Sequence, residues 1–173
     1  CPMFASSRTR KWPIRYAVWV ATLGRKPQAL PALVQEHLDT LDGEGVFLPE
    51  AVARLRSHLE QGHRVVVATG SLEVLARALM LRAGLGDIPL VASTLRPFLG
   101  GLVRDRHCFG PNKIPMLAER GFAPPWAVAY TDHHADLPVL ALSAERFLVS
   151  PKARCRARIE QALRTEATVL AWR

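Results

Sequence analysis

Long apolar runs are absent from this 173-residue chain. A membrane-spanning helix needs about 20 apolar residues, and the best candidate, YAVWVATLG from Tyr16 to Gly24, is far too short. Its aromatic residues, set among basic ones, also fit a helix at a membrane interface, although a core helix is the commoner meaning of such a pattern. The chain starts without methionine or a signal peptide, so we expect an upstream segment to be missing from it.

Paired cysteines are absent as well. Cys1, Cys108 and Cys155 form no CxxC motif, which indicates a reducing compartment and argues against a metal–thiolate site. His133 and His134 suggest zinc, but adjacent histidines usually point apart and no third nitrogen or sulfur ligand has a suitable spacing. No GxSxG segment occurs, so a serine nucleophile of the α/β-hydrolase kind is not expected.

Acidic residues are outnumbered by basic ones, 15 to 23, which gives a net charge of +8. This balance favours an anionic partner, such as nucleic acid, a phosphorylated substrate or an acidic membrane surface, although a solvated basic surface would look the same. The basic residues are spread along the chain and form no tail. A hydrophobic content of 49% in a chain of this length indicates one folded domain with a real core.

Apolar strand-like segments alternate with helical patterns along the chain. This order predicts an α/β domain with a mostly parallel sheet. FLGGLVR (98–104) is typical of a hairpin, and the tail with Ile159, Leu163 and Val169 is predicted to be helical. Helical patterns cover 12–42, with breaks at prolines, and 49–60, and strands are predicted at 64–68, 88–93, 126–131 and 146–150.

The first buried strand ends in Thr69, Gly70 and Ser71, just before a helical pattern. Ser71 is suited to cap that helix. A helix N-terminus at the carboxyl edge of a parallel sheet attracts anions, and glycine lets the backbone approach one closely. An ordinary strand-to-helix turn would have the same residues, so this segment alone is a weak signal.

A second polar cluster, YTDHHADLPVL, follows the strand at 126–131 and contains Asp132 and Asp136. Two carboxylates at a sheet edge suit a divalent cation such as Mg²⁺, whereas a capping role for Asp136 and a loop role for Asp132 are the structural alternatives. Lys113 lies between the two clusters, at the start of a helix that Asn112 is expected to cap. An anion-binding turn, a cation and a metal-binding pair together predict a phosphoryl-transfer site.

These segments in this order resemble the haloacid dehalogenase-like (HAD) hydrolases. VVVATGS, Lys113 in CFGPNK and YTDHHADLPVL are similar to their second, third and fourth motifs. From about residue 7 to 152 the chain looks like the phosphatidylglycerophosphatase C branch. The resemblance implies a Rossmann-like core at 49–173, a partial helical cap at 1–48, and Mg²⁺-dependent hydrolysis of a phosphate monoester, namely phosphatidylglycerophosphate in phospholipid biosynthesis.

The resemblance also implies a role for each site residue. Thr69 would hold the phosphoryl group with backbone amides around Gly70 and Ser71, and Lys113 would neutralise charge between nucleophile and phosphate. Asp132 would bind Mg²⁺, with Asp136 supporting it. The implied partner is an anionic phospholipid at a peripheral membrane surface rather than nucleic acid, and the implied location is the cytoplasmic face of a bacterial inner membrane.

The sequence departs from the family in lacking a DxD motif, which should follow the first strand and supply the nucleophile. We therefore expect the chain as given to be inactive, and the strands at 64–68 and 126–131 to flank a gap or to pair directly. We also expect one pocket to be shared by Thr69, Lys113, Asp132 and Asp136. His133 and His134 should not both point into it. The alternatives are a non-catalytic phosphate-binding module and a phosphatase acting on a small soluble phosphate.

Overall fold

The structure, a computed structural model, describes residues 11–40, 47–164 and 167–172. Its helices are α1 (Lys11–Thr22), α2 (Leu30–Asp39), α3 (Pro49–Glu60), α4 (Glu73–Arg82), α5 (Lys113–Glu119), α6 (Leu137–Ala141) and α7 (Ala153–Leu163). Its strands are β1 (Val67–Leu72), β2 (Leu90–Ser93), β3 (Leu95–Phe98), β4 (Gly101–Arg104), β5 (Trp126–Thr131), β6 (Ser143–Val149) and β7 (Thr168–Leu170). No helix in these residues is long and apolar enough to cross a membrane.

The strands form three small sheets. β1 pairs in parallel with β2, and β5, β6 and β7 form a second parallel sheet in that order. The hairpin predicted at 98–104 is present as the antiparallel pair of β3 and β4. Helices α4, α5 and α6 connect or flank the parallel strands, as expected for crossover connections.

A cleft separates β1 from β5. Each strand is paired along one edge only, and the two free edges face a cavity of about 540 Å³ lined by residues of both strands, including Val67, Ala68 and Tyr130. No strand occupies this cleft in the part of the chain that the structure describes. The prediction that these strands either flank a gap or pair directly is confirmed in its first form, and the backbone edges of both are open to an added strand.

Three apolar clusters hold these layers together. One packs α4 against β2 around Met80 and Leu90, and a second packs α5 against β2 around Cys108 and Leu117. The third lies between β6 and α7, where Leu148 and Ile159 are fully buried. The clusters lie on both sides of the cleft, so each of the two parallel sheets has its own apolar support.

Several local predictions from the sequence are wrong. Thr69, Gly70 and Ser71 belong to β1 rather than to a turn, and Ser71 caps no helix, because Leu72 is the N-cap of α4. Asn112 precedes α5 but its side chain makes no capping bond, since its amide donates to the carbonyl of His107. Val169, predicted to be helical, lies in β7, where it pairs with Leu148.

The predicted cap falls partly outside the described residues. Residues 1–10 and 41–46, which belong to it, are not described, whereas α1 and α2 are helical as the sequence indicates. The division at residue 48 therefore stays a prediction.

Candidate active site

The sequence-predicted site residues line one cavity. Thr69, Gly70 and Ser71 reach it from β1, Lys113 from the start of α5, and Asp132 and Asp136 from the segment after β5. The cavity has a volume of about 650 Å³ and lies at the carboxyl ends of β1 and β5. The prediction that these residues converge on one pocket is confirmed, and such an edge is where open parallel sheets bind ligands.

An irregularity in β1 presents the Thr-Gly-Ser segment to the cavity. Ala68 lies opposite Val91 and Leu72 opposite Ser93, so three residues of β1 face a single residue of β2. The amide of Ser71 donates to Thr69 Oγ1 at 3.2 Å. Because that oxygen accepts from the backbone, the hydroxyl proton of Thr69 is left to donate to a ligand, whereas the Ser71 amide is already used.

Ser93 fixes this irregularity from inside the protein, and no sequence motif points to it. Its side chain is 1% exposed. The hydroxyl donates to the carbonyl of Gly70 at 2.9 Å and accepts from the amide of Cys108 at 3.1 Å. One buried hydroxyl thus ties β1 to the loop that leads into α5 and Lys113.

Ser93→Ala is expected to lower the free energy of unfolding by about 1–3 kcal/mol, because it leaves the buried amide of Cys108 and the part-buried carbonyl of Gly70 without their shared partner. The measurement is urea-induced unfolding followed by circular dichroism. The control is Ser57→Ala. The Ser57 hydroxyl accepts only a surface hydrogen bond from Gln61, so its removal should change the free energy of unfolding by less than about 0.5 kcal/mol. Equal stabilities of the two variants would show that Ser93 does not hold the site.

Lys113 and Asp136 form a buried ion pair. Lys113 Nζ lies 2.6 Å from Asp136 Oδ1, and the two side chains are 9% and 19% exposed. The other carboxylate oxygen, Oδ2, accepts from Thr131 Oγ1 at 2.8 Å. Because both oxygens of Asp136 are engaged, its main effect in this arrangement is to hold the ammonium group at the cavity wall.

Asp132 differs from Asp136 in having no hydrogen bond or ion pair with the described residues. It is exposed at the cavity, directly after β5. A free carboxylate beside a second carboxylate and a threonine hydroxyl is an oxygen-rich donor set, which fits Mg²⁺. The residues therefore suit the predicted ion: Asp132 would be its direct ligand, and Asp136 would lie beside it.

The two histidines after Asp132 behave differently from each other. His133 lines the cavity, and its Nδ1 accepts from the amide of Ala135. His134 points instead towards Cys155, with Nδ1 and Sγ 3.4 Å apart, and its Nε2 lies 3.2 Å from Arg158. As predicted, the two rings do not both face the pocket.

Cys155 is the third zinc-type ligand that the sequence did not reveal. Ligand atoms of His133, His134 and Cys155 lie within 4.8 Å of one another. The Arg158 guanidinium can only donate, so His134 Nε2 accepts and its proton resides on Nδ1, facing the sulfur. That tautomer is the wrong one for a metal at Nδ1, and burial together with His133 and Arg158 lowers the pKa of His134.

Further residues of the cavity were also missed. Arg104 of β4 reaches it from the hairpin side. His107 and Phe109, whose rings stack at 5.2 Å, form an aromatic wall beside His133. These residues stand in segments that carry no motif, so only the folded arrangement brings them to the site.

A histidine pair lines the cleft between β1 and β5, away from the Thr-Gly-Ser segment. His58 Nδ1 lies 2.9 Å from His63 Nδ1, and His58 Nε2 lies 2.8 Å from the hydroxyl of Tyr130. Burial lowers the pKa of His58, and the electrostatic influence of the neighbouring His63 and Arg54 side chains lowers it further, against an opposing effect of Glu145. Burial also raises the pKa of Tyr130.

This pair predicts a loss of stability on acidification. At pH values well above about 6.5 His58 is neutral in the folded and unfolded states alike. As the pH falls through that value the unfolded chain takes up a proton that the folded protein resists, so the free energy of unfolding falls. The urea midpoint should therefore drop between pH about 8 and about 5.5. His58→Gln should make the drop smaller and His37→Gln should not, whereas identical pH profiles for both variants would contradict this origin.

Comparison of the sequence with models of known protein families identifies the family of this chain. The model described as haloacid dehalogenase-like hydrolase matches residues 3–141. The chain belongs to this hydrolase family. Among curated protein sequences none matches the chain. The expected resemblance at family level is therefore confirmed.

Solved structures share the fold of this HAD chain. A protein of unknown function from Bordetella pertussis Tohama I has a TM-score of 0.71 at 18% identity, over 97% of this chain and 75% of its own. A HAD family hydrolase from Salmonella enterica subsp. enterica serovar Typhi has a TM-score of 0.61 at 17% identity, over 98% and 53%. Cytosolic 5'-nucleotidase IIIB bound to cytidine has a TM-score of 0.57 at 9% identity, over 98% and 61%.

The chain thus spans little more than half the length of the last two proteins. At these identities the likeness shows the fold alone, and the predicted α/β architecture with parallel sheets is confirmed. Substrate, metal and the roles of the site residues stay predictions.

Proposed function

We propose that this HAD-family chain is the larger part of a Mg²⁺-dependent phosphatase that converts phosphatidylglycerophosphate to phosphatidylglycerol at a membrane surface. The observation that carries the proposal is the cavity in which Thr69, Lys113, Asp132 and Asp136 meet. A hydroxyl donor, a buried ammonium and paired carboxylates at a sheet edge are the groups that a phosphoryl-transfer site requires.

Each group has a role that its surroundings support. The Thr69 hydroxyl donates to a phosphoryl oxygen, because its own oxygen already accepts from the backbone. Lys113, held by Asp136 at 2.6 Å, offsets the negative charge of the phosphate. Asp132 holds the metal ion, which when bound supplies positive charge at the transferring phosphoryl group.

The attacking carboxylate is the group that the cavity lacks among the described residues. Asp132 and Asp136 are its carboxylates, and both are assigned to the cation and to Lys113. The cleft between β1 and β5 opens towards Lys113 and Asp136, which line both cavities. We propose that a strand ending in Asp-x-Asp fits between β1 and β5 and brings its first aspartate to the phosphate as nucleophile.

Two features of the cavity favour a phospholipid over a small soluble phosphate. Val18, Leu72 and Leu95 give it an apolar side next to the phosphate-binding residues. Arg104 adds a cation on that side. Phosphatidylglycerophosphate carries a phosphodiester beyond its terminal phosphate, and Arg104 would pair with this second anion.

The test compares substrates in protein supplied with an Asp-x-Asp strand. Phosphate release is followed for phosphatidylglycerophosphate and for soluble monoesters, with and without EDTA. We expect turnover of the lipid to exceed that of soluble esters and to disappear with EDTA. Turnover of soluble esters alone would contradict the lipid substrate but would still support phosphatase activity.

Arg104→Ala is expected to raise KM for the lipid by about tenfold and to leave KM for glycerol phosphate unchanged, because only the lipid offers a second anion. Arg120→Ala, which removes an exposed cation outside the cavity, is the control. An equal rise of KM for both substrates would show that Arg104 acts on the reacting phosphate instead.

A further inference from the structure

The outer side of α1 and the tip of the β3–β4 hairpin carry a cluster of exposed apolar side chains. We call it the hairpin–helix face, and it consists of Tyr16, Val20, Leu23, Phe98 and Leu99. These side chains are 66%, 47%, 50%, 45% and 75% exposed, respectively. Isolated exposed apolar residues are common on soluble domains, but a cluster of this kind marks a surface that binds something.

The two halves of this face are joined rather than merely neighbouring. The indole Nε1 of Trp19 donates to the carbonyl of Phe98 at 3.0 Å. The amide of Gly24 donates to the carbonyl of Gly100 at 2.7 Å. Helix and hairpin therefore present their apolar side chains as one surface.

Leu99 is placed at the hairpin tip against the preference of its backbone. Its φ of 42° lies in the left-handed region, which favours glycine or asparagine in such a turn. The side chain is nevertheless a leucine and is 75% exposed. A large apolar side chain that is kept exposed in an unfavourable backbone conformation indicates a surface that becomes buried when a partner binds.

Basic residues outnumber acidic ones next to the face. Arg25 and Lys26 directly follow α1 and are exposed, and Arg96 stands over the ring of Phe98. One carboxylate, that of Asp105, pairs with Arg96 at 3.9 Å. The face is therefore complementary to a surface that is apolar inside and anionic at its rim.

The same structural unit forms a wall of the active-site cavity. Val18 of α1 and Leu95 and Arg104 of the hairpin line that cavity, while the hairpin–helix face lies on the exposed side. Whatever binds the face is consequently held beside the phosphate-binding residues.

We propose that the hairpin–helix face docks on an anionic lipid bilayer, with its apolar side chains among the headgroups and Arg25, Lys26 and Arg96 on lipid phosphates. The purpose of docking rests on the proposed function, because it would deliver a lipid phosphate to the cavity. The docking itself is measured without catalysis, so the two proposals fail separately.

The test is co-sedimentation of the chain with vesicles of phosphatidylcholine alone or mixed with phosphatidylglycerol. We expect binding to the anionic vesicles only, with loss at high salt because exposed charges are screened. Leu23→Glu with Leu99→Glu should abolish binding, because the added carboxylates are repelled by anionic lipid. Both side chains are exposed, so the fold should tolerate the change. Leu81→Glu, at a leucine that is 62% exposed on α4, is the control and should bind as the wild type does.

A second pair of variants separates local from total charge. Arg25→Glu with Lys26→Glu lowers the formal net charge from +8 to +4, as does Arg120→Glu with Lys152→Glu on other parts of the surface. We expect the first double variant to lose binding at least tenfold more than the second. Equal losses would mean that total charge, not this face, attracts the vesicles.

Two other outcomes would overturn the proposal. One is a failure of the wild-type protein to sediment with anionic vesicles, or equal sedimentation of the wild type and the Leu23→Glu, Leu99→Glu double variant. The other is a dimer in size-exclusion chromatography that these two substitutions dissociate, which would make a second copy of the chain the occupant of the face.

Discussion

The 173-residue chain, purified as it stands, is expected to release no phosphate above background and to gain Mg²⁺-dependent turnover when an Asp-x-Asp strand is supplied. Positioning by Thr69 and charge neutralisation by Lys113 do not provide an attacking group. Of the two carboxylates of the cavity, Asp136 pairs with Lys113, and Asp132 is the one proposed to hold the metal ion. The strand can be added as an apolar synthetic peptide or fused ahead of Cys1. The measurement is phosphate release in the presence and absence of EDTA.

A strand with Asn-x-Asn in place of Asp-x-Asp is the matched control. It keeps the shape and the backbone hydrogen bonds that the edges of β1 and β5 offer, but it carries no nucleophile. Binding of both strands with turnover from the first alone is the expected result. Robust turnover by the unsupplemented chain would mean that its nucleophile has been misidentified.

The second large effect concerns the charged groups of the cavity. In the strand-supplied protein, Lys113→Ala and Asp132→Asn are each expected to lower kcat on the order of 10²-fold or more, as for other preorganised electrostatic groups. Lys113→Ala also leaves Asp136 partly buried without its cation, so unfolding is measured in parallel. Lys152→Ala and Asp87→Asn, at exposed sites outside the cavity, are the controls.

The kinetic pattern distinguishes chemistry from folding. Loss of kcat in a variant that remains folded indicates an interaction made in the transition state. For Asp132→Asn, excess Mg²⁺ should recover part of the rate, since a weakened ligand lowers affinity before it removes the ion. A full rate in folded Asp132→Asn would take this residue out of the metal site.

Local signals in the sequence predicted much of the fold. The apolar run of β5 was placed at 126–131, where the structure has it, and the amphipathic pattern of α3 at 49–60 likewise. Prediction failed where a distant partner decides the conformation. Val169 reads as part of a helix, but pairing with β6 makes it a strand residue. The Thr-Gly-Ser segment reads as a turn, but the pairing of Leu72 with Ser93 beyond it extends β1 through Leu72.

The same distinction applies to the site. Thr69, Lys113 and Asp132 were found because each follows or begins a recognisable element, and parallel strands bring their carboxyl ends to one edge. Ser93 and Arg104 stand within ordinary strands, and their importance appears only from contacts across the fold. Asp136 contacts both Lys113 and Thr131, and the spacing of these residues in the sequence does not predict those contacts.

Binding of inorganic phosphate to the chain as it stands tests most directly whether these residues form one phosphate site. Titration calorimetry with Mg²⁺ present is expected to give a single site that EDTA weakens. Lys113→Ala should lower its affinity by about tenfold or more, because a hydrogen bond to a charged group is lost, while Lys152→Ala leaves it unchanged. Phosphate affinity that is the same in the wild type, in Lys113→Ala and after EDTA would contradict the assignment of this cavity.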